Sequence, residues 1–409
     1  MINKISPLAP KIIKSMKLIQ GINIYTYCAG LYNLNRNDLA LFLFDSELNI
    51  AEVFTKSRTR SVTLDWNEKL LKKGKIKALL INSGNANAYT GKAGLIALKE
   101  VIKNISNKFT INMNQIFIAS TGVIGEPYPY KKIINALAVN NENKKSNWLA
   151  AAKAIMTTDT YPKMKMTTAL IGNRKVQING VAKGSGMIAP NMATMLGFIF
   201  TDANISRAAL QSLLKEINEE TFNSITVDGD ESTNDTVMLI STNKAKHKFV
   251  SSRNDKLLRD FKLKLKSVMM DLAEQIVKDG EGATKLIQIN VNGAKTNKAA
   301  KKVARSIAES PLVKTAIYGE DPNWGRIVMA IGKSKQIIDP NKFSISLGDN
   351  LVASNGSKNL NYKESVLKKY MKKNRINILV DLKIGLGNAQ IMTCDYSNEY
   401  ININASYKS

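Results

Sequence analysis

Apolar residues along this chain come in short runs bounded by Gly, Asn, Asp and Pro, the pattern of strands and helices in alternation and not of one repeating unit. Leu39 to Phe44 and Ala51 to Thr55 read as paired strands separated by a turn near Asp45-Ser46. Ile76 to Ile81 reads as another strand, ending in the amide-rich loop Asn82-Ser83-Gly84-Asn85-Ala86-Asn87-Ala88. Leu95, Leu98, Val101 and Ile102 share one helical face, predicting a helix over 95–105. Gln115 to Ala119 predicts a strand that runs into Ser120-Thr121-Gly122, and helices are expected over 131–139 and 148–156. Lys165 to Ile171 and Lys175 to Val181 predict a hairpin closed by Gly172-Asn173.

Further along, Ser206 caps a helix carrying Leu210, Leu213, Leu214 and Ile217 at helical spacing. A long amphipathic helix is expected over 257–278, a strand over 286–291 and a helix over 301–309. The end of the chain is expected to alternate strands with turns as far as Ser409. Near the middle lies Lys183-Gly184-Ser185-Gly186-Met187-Ile188-Ala189-Pro190-Asn191-Met192-Ala193-Thr194-Met195-Leu196. Two glycines and a proline punctuate it and an apolar run follows, so it reads as a tight loop delivering the Thr194 hydroxyl to the mouth of a buried strand.

Length and charge narrow the picture. The 409 residues, 44% of them hydrophobic, can supply the cores of two or three globular domains. A formal charge of +26 invites nucleic acid as a partner. Most of that charge comes from scattered lysines, whereas arginine has the planar fork suited to phosphate and base edges. It therefore reads as compositional bias on exposed positions. No stretch approaches the roughly 18 apolar residues that span a bilayer, and no signal-like apolar core follows Met1, so the expected location is cytoplasmic.

Candidate chemistry is constrained by what is scarce. Cys28 and Cys394 offer no metal-ligand spacing, and no metal is expected. His247 is the single histidine, in a polar run, so a histidine-based triad would have to rest on it. Thr121-Gly122 at a strand end can present a hydroxyl and a backbone N–H side by side, as an oxyanion hole requires, although a plain turn makes the same pair. Asp228 to Asp235 is carboxylate-rich but fails as an EF-hand: Thr233 stands where glycine is needed and Leu239 where glutamate is needed.

Eight stretches in order, Asn82 to Ala88, Ser120 to Gly125, Thr157 to Lys163, Lys183 to Leu196, Thr226 to Asp235, Asp279 to Lys285, Lys314 to Gly325 and Tyr400 to Ser409, resemble the ornithine acetyltransferases of arginine biosynthesis, the bifunctional glutamate N-acetyltransferase/amino-acid acetyltransferase family. The resemblance implies a mixed-sheet α/β (α+β) layered sandwich of the DmpA-like type, self-cleaved between Ala193 and Thr194. The products would be interlocking chains of residues 1–193 and 194–409, the second with a smaller C-terminal region. Thr194 would be the nucleophile, and Thr121 with Gly122 the oxyanion hole. Thr158, Lys183, Thr194, Glu281, Asn404 and Ser409 would contact substrate, with Thr160 a competitor to Thr158. The implied reaction moves an acetyl group from N-acetylornithine to glutamate by a ping-pong route. No cofactor is implied; acetyl-CoA is a co-substrate in bifunctional members. The implied assembly is a heterotetramer of two N-terminal and two C-terminal chains, with no nucleic-acid or membrane partner.

Elementary chemistry supports Thr194 independently. A threonine hydroxyl needs an adjacent base, and cleavage before it creates an α-amine of pKa about 8, neutral in substantial fraction near pH 7, on the same residue.

Overall fold

The computed structural model describes residues 4–32, 35–139, 145–189 and 195–406. Among these, strands form two sheets. The larger contains β1 (Ile22–Tyr27), β2 (Leu39–Phe54), β3 (Lys75–Asn85), β4 (Ile116–Val123), β5 (Lys163–Ile171), β6 (Arg174–Lys183), β7 (Leu196–Thr201) and β8 (Thr236–Ser241). Their spatial order is β4-β3-β2-β8-β7-β6-β5, with β1 also on β2. β3/β4 and β7/β8 are parallel pairs within an otherwise antiparallel sheet.

The expected hairpin at 39–55 is instead one strand. β2 runs through Asp45-Ser46 with a register shift between Leu43 and Leu48: its first half pairs with β1 and β3, its second with β8. Polar residues at a bulge imitate a turn in sequence. The 165–181 hairpin is found, as β5 and β6 in continuous register.

Helices cover both faces. Arg207–Glu220 begins at Ser206, whose side chain accepts from Ala209 N, and buries Leu210, Leu213, Leu214 and Ile217. It packs with Arg259–Lys278 and the inner residues of β5 to β8 into one core. Phe42, Trp148 and Phe200 stack in a second core on the opposite face. The helix expected over 95–105 is longer, Gly91–Phe109.

The smaller sheet comprises β9 (Leu286–Ala294), β10 (Ser344–Leu347), β11 (Asn350–Ser354), β12 (Ser357–Lys358), β13 (Arg375–Asp381) and β14 (Gly387–Cys394), in the order β12-β11-β10-β13-β9-β14. Asn297–Ala308, Pro311–Tyr318 and Trp324–Gly332 cover it and share its core. The expectation of strands and turns to the C-terminus is corrected here, because Glu364–Met371 and Asn398–Ser406 are helices. The second has no buried residue, so no apolar stripe announces it. The two layered α/β units agree with the mixed-sheet fold class.

One buried carboxyl makes the fold pH-sensitive. Glu52 on β2 accepts Asn67 Nδ2 at 3.2 Å, and its other oxygen has no partner among the described residues. Burial, reinforced by Glu68 and opposed by Asn67, pushes its pKa up to about 8. The native state therefore keeps a proton that the unfolded chain loses above its ordinary value of 4.5, and stability falls as pH rises between those values. At about 1.4 kcal/mol per unit, the loss from pH 5.5 to 8 is on the order of 3 kcal/mol. Urea unfolding of Glu52→Gln at both pH values should show this component of the pH dependence removed; parallel curves for mutant and wild type would refute it.

Candidate active site

The loop entering the middle of the chain is clamped from several sides. Gly184 N donates to Asp159 Oδ1 at 2.7 Å, Ser185 Oγ to the Asp279 carbonyl at 2.5 Å and Glu281 N to the Ser185 carbonyl at 3.0 Å. Met187 N and Ile188 N both donate to Asp228, at 2.6 and 2.8 Å, and Val227 N and Thr226 Oγ1 bond the Ile188 carbonyl. These bonds hold Met187 at φ +56, a conformation costly for a residue with a side chain. On the far side Thr236 N donates to the Met195 carbonyl at 2.9 Å, and β7 follows with all six residues buried. Ala193, Thr194 and Ser409, expected at the cleavage point and in the site, lie outside the described residues.

The described residues flanking that segment border a cavity of about 100 Å³. Thr121, Gly122, Thr158, Lys183, Glu281 and Asn404 all line it, together with Met195, Ser232, Thr233, Asn234 and Asp235. Residues 283 positions apart in sequence thus meet at one place. Thr160, the competitor to Thr158, does not line the cavity: it bonds Asp279 through both its N–H and its hydroxyl.

Thr121 and Gly122 sit inside β4, not beyond its end, because β3 and β4 continue as a parallel pair through Gly84 and Gly122. Gly122 has φ +131, and a Cβ there would stand 2.3 Å from the Gly84 carbonyl carbon. Only glycine permits that approach. The amides at the end of β3 form a buried scaffold behind this pair: Ser120 Oγ and Tyr128 OH both donate to Asn82 Oδ1, and Asn82 Nδ2 to the Asn85 carbonyl. Asn234 Nδ2 ties the two strands together by donating to the carbonyls of Ala86 and Ser120, at 2.6 and 2.8 Å.

Lys183 Nζ donates to Thr121 Oγ1 at 3.2 Å. A hydroxyl that accepts from an ammonium still has its own proton to donate. Burial lowers the Lys183 pKa, as does the like charge of Lys163, while Asp159, Asp235 and Glu281 oppose the fall. Burial raises Glu281, against hydrogen bonds from Thr158 and Asn404; the Asn404 bond is 2.8 Å. Gly186 makes room for this carboxyl, since a Cβ there would lie 2.4 Å from Glu281 Oε2. Burial holds Asp235 well above the usual carboxylate range, and its Oδ2 has no partner among the described residues.

The other nucleophile and base candidates stand elsewhere. His247 accepts from Asn204 N at 2.8 Å on a different loop. The Cys394 thiol is buried, which pushes its pKa up to about 11. Among the described residues no group of three His, Cys, Asp or Glu could hold a metal ion.

The match to one family is close to complete, with the model of the ArgJ family aligning to residues 23–409. The chain belongs to the ArgJ family. It is 47% identical over 413 residues to the arginine biosynthesis bifunctional protein ArgJ of Bradyrhizobium diazoefficiens, covering all of both chains. It is 46% identical to that of Agrobacterium fabrum, over 99% of each. Among solved structures, the crystal structure of ArgJ from Bacillus halodurans aligns with 41% identity and a TM-score of 0.50, covering 52% of this chain and 100% of that one.

The site also draws on residues that sequence reading left without a role. Asp228 clamps the loop, and Ser232 to Asp235 supply one wall. The signals were an acidic and polar stretch that failed as a calcium loop and the family resemblance of Thr226 to Asp235, which named no role for them. Its contacts to the loop cross 40 and 41 residues, and no local spacing encodes them.

Proposed function

We propose that this chain is an acetyltransferase of arginine biosynthesis that moves the acetyl group of N2-acetyl-L-ornithine to L-glutamate through an acetyl ester on Thr194. The observation that supports this reading best is the convergence of Thr121, Gly122, Thr158, Lys183, Glu281 and Asn404 on one cavity beside Met195, the residue after Thr194. In this reading the chain cuts itself between Ala193 and Thr194. The freed α-amine takes the hydroxyl proton as Thr194 attacks the acetyl carbonyl, and it later supplies a proton to the departing ornithine nitrogen. Thr121 Oγ and Gly122 N–H receive the oxyanion. Lys183 meets the α-carboxylate common to both substrates, and Thr158, Glu281, Asn404 and Ser409 bind their polar groups.

Residues 1–193 and 194–409 then stay together as two chains, and two copies of each make the assembly. The chemistry needs no resident cofactor; acetyl-CoA enters only as co-substrate for a second activity, the making of N-acetylglutamate. We place the enzyme in the cytoplasm; among the described residues no helix is long and apolar enough to cross a membrane.

The acceptor decides between this reading and a hydrolase using the same attack. With N-acetylornithine as donor, adding glutamate should divert acetyl from acetate to N-acetylglutamate and raise the rate of ornithine release. Acetate release at one rate with or without glutamate would replace the transferase with an amidohydrolase.

A further inference from the structure

Behind the cavity, and not part of its lining, three charged side chains are shut away from solvent. Lys163 Nζ lies 2.6 Å from Asp159 Oδ1 and 2.6 Å from Asp279 Oδ2, and all three side chains have zero exposure. Each carboxylate reaches outward to the site. Asp159 accepts Thr157 N at 2.9 Å and Gly184 N at 2.7 Å, so it fixes the turns that carry Thr158 and Lys183. Asp279 accepts the N–H and hydroxyl of Thr160, and its carbonyl accepts Ser185 Oγ, whose own carbonyl receives Glu281 N. Thr158 and Glu281 are each within two residues of a carboxylate that the one ammonium holds, and Lys183 precedes Gly184, whose N–H donates to Asp159.

Stability alone is a poor reason for such a cluster. Burying three charges is costly, and apolar replacement of a buried ion pair or triad is often neutral or stabilising. What the triad does supply is a fixed distance between two turns before residue 193 and one after it. Resting on the function proposed above, we propose that Lys163 is a positioning residue that holds Thr158, Lys183 and Glu281 in one frame for substrate across both parts of the chain. The charge states agree with this. Burial works against each ion, yet Lys163 and Lys183 hold Asp159 below the usual carboxylate range and the two carboxylates keep the Lys163 ammonium protonated, while burial raises Asp279 against the pull of Lys163.

The test compares the full-length chain with its Lys163→Met and Lys163→Arg variants. Steady-state transfer from N-acetylornithine to glutamate should show KM for the donor raised about tenfold or more in Lys163→Met, with kcat falling by a smaller factor, and Lys163→Arg recovering part of the loss. A merely structural lysine gives another signature: fewer folded molecules lower the apparent kcat and leave KM where it was. That result would overturn the proposal.

A crystal structure of Lys163→Met provides a readout independent of activity. The Thr157 and Gly184 bonds to Asp159 should be lost or lengthened, and their retention at wild-type distances would also overturn the proposal. If Lys163→Met does not accumulate, Asp159→Asn keeps the Lys163–Asp279 pair and should show the same rise in KM. Wild-type chain without transferase activity would instead remove the proposed function, and the crystallographic comparison would still decide whether Lys163 sets the two turns.

Discussion

A Thr194→Ala chain is expected to migrate as one intact band on denaturing electrophoresis, where the wild type gives two, beginning at the native N-terminus and at Thr194. It should also lose acetyl transfer by at least about 10⁴-fold, as enzymes do on losing a nucleophile. In the proposed mechanism both effects come from one residue, because the hydroxyl would attack its own preceding peptide bond first and the substrate afterwards. No described group is placed to take over. His247 is engaged on another loop, Cys394 is buried with its thiol protonated, and Lys183 is committed to Thr121. Thr194→Ser retains the hydroxyl and should still be cut, more slowly. N-terminal sequencing of the bands with parallel activity assays separates the two roles. A wild-type chain that is intact and fully active would end the mechanism.

The second large effect is expected at the oxyanion pair. Thr121→Val keeps the shape of the side chain but removes the hydroxyl, and it should lower kcat by about 10²–10³, the usual loss for one oxyanion donor, with a smaller change in KM. It also leaves Lys183 without its 3.2 Å acceptor, so Thr121→Ser, which restores that acceptor, should recover most of the rate. Gly122→Ala acts on the backbone instead. Its Cβ would meet Gly84 and Asn85 at 2.3 to 2.5 Å, forcing β3 and β4 apart and moving the Gly122 backbone, which lines the cavity. Loss of folded protein in Gly122→Ala alone, with kcat unchanged in Thr121→Val, would place the oxyanion elsewhere.

Legibility in the sequence followed the range of the interactions. The helix capped by Ser206 and the 165–181 hairpin rest on neighbours a few residues apart, and their patterns survive folding intact. β2 misled because a polar bulge inside a long strand carries the same residues as a turn. Asn398–Ser406 was missed because an exposed helix without an apolar stripe has no period to detect. Within the site, Thr121-Gly122 announced itself as a hydroxyl beside a glycine, whereas the resemblance alone brought in Thr158, Glu281 and Asn404. Lys163 and Asp228 lay in stretches that the sequence singled out but received no role of their own: Asp279 is 116 residues from Lys163 and Met187 is 41 from Asp228, and a charge in a strand or loop looks solvated until such a partner is found.

The strand order of the larger sheet has one more consequence. β7 and β8, which follow residue 193, lie between β2 and β6, which precede it, and each contact is a six-residue ladder. Severing the backbone at 193 would leave every one of those ladders in place, so the cut would change the connectivity of the molecule without loosening it. The two pieces would have to meet again in solution to rebuild the sheet, turning a first-order refolding into a second-order one. A protein cut there would assemble most readily while still a single polypeptide, and such a cut would belong after folding has finished.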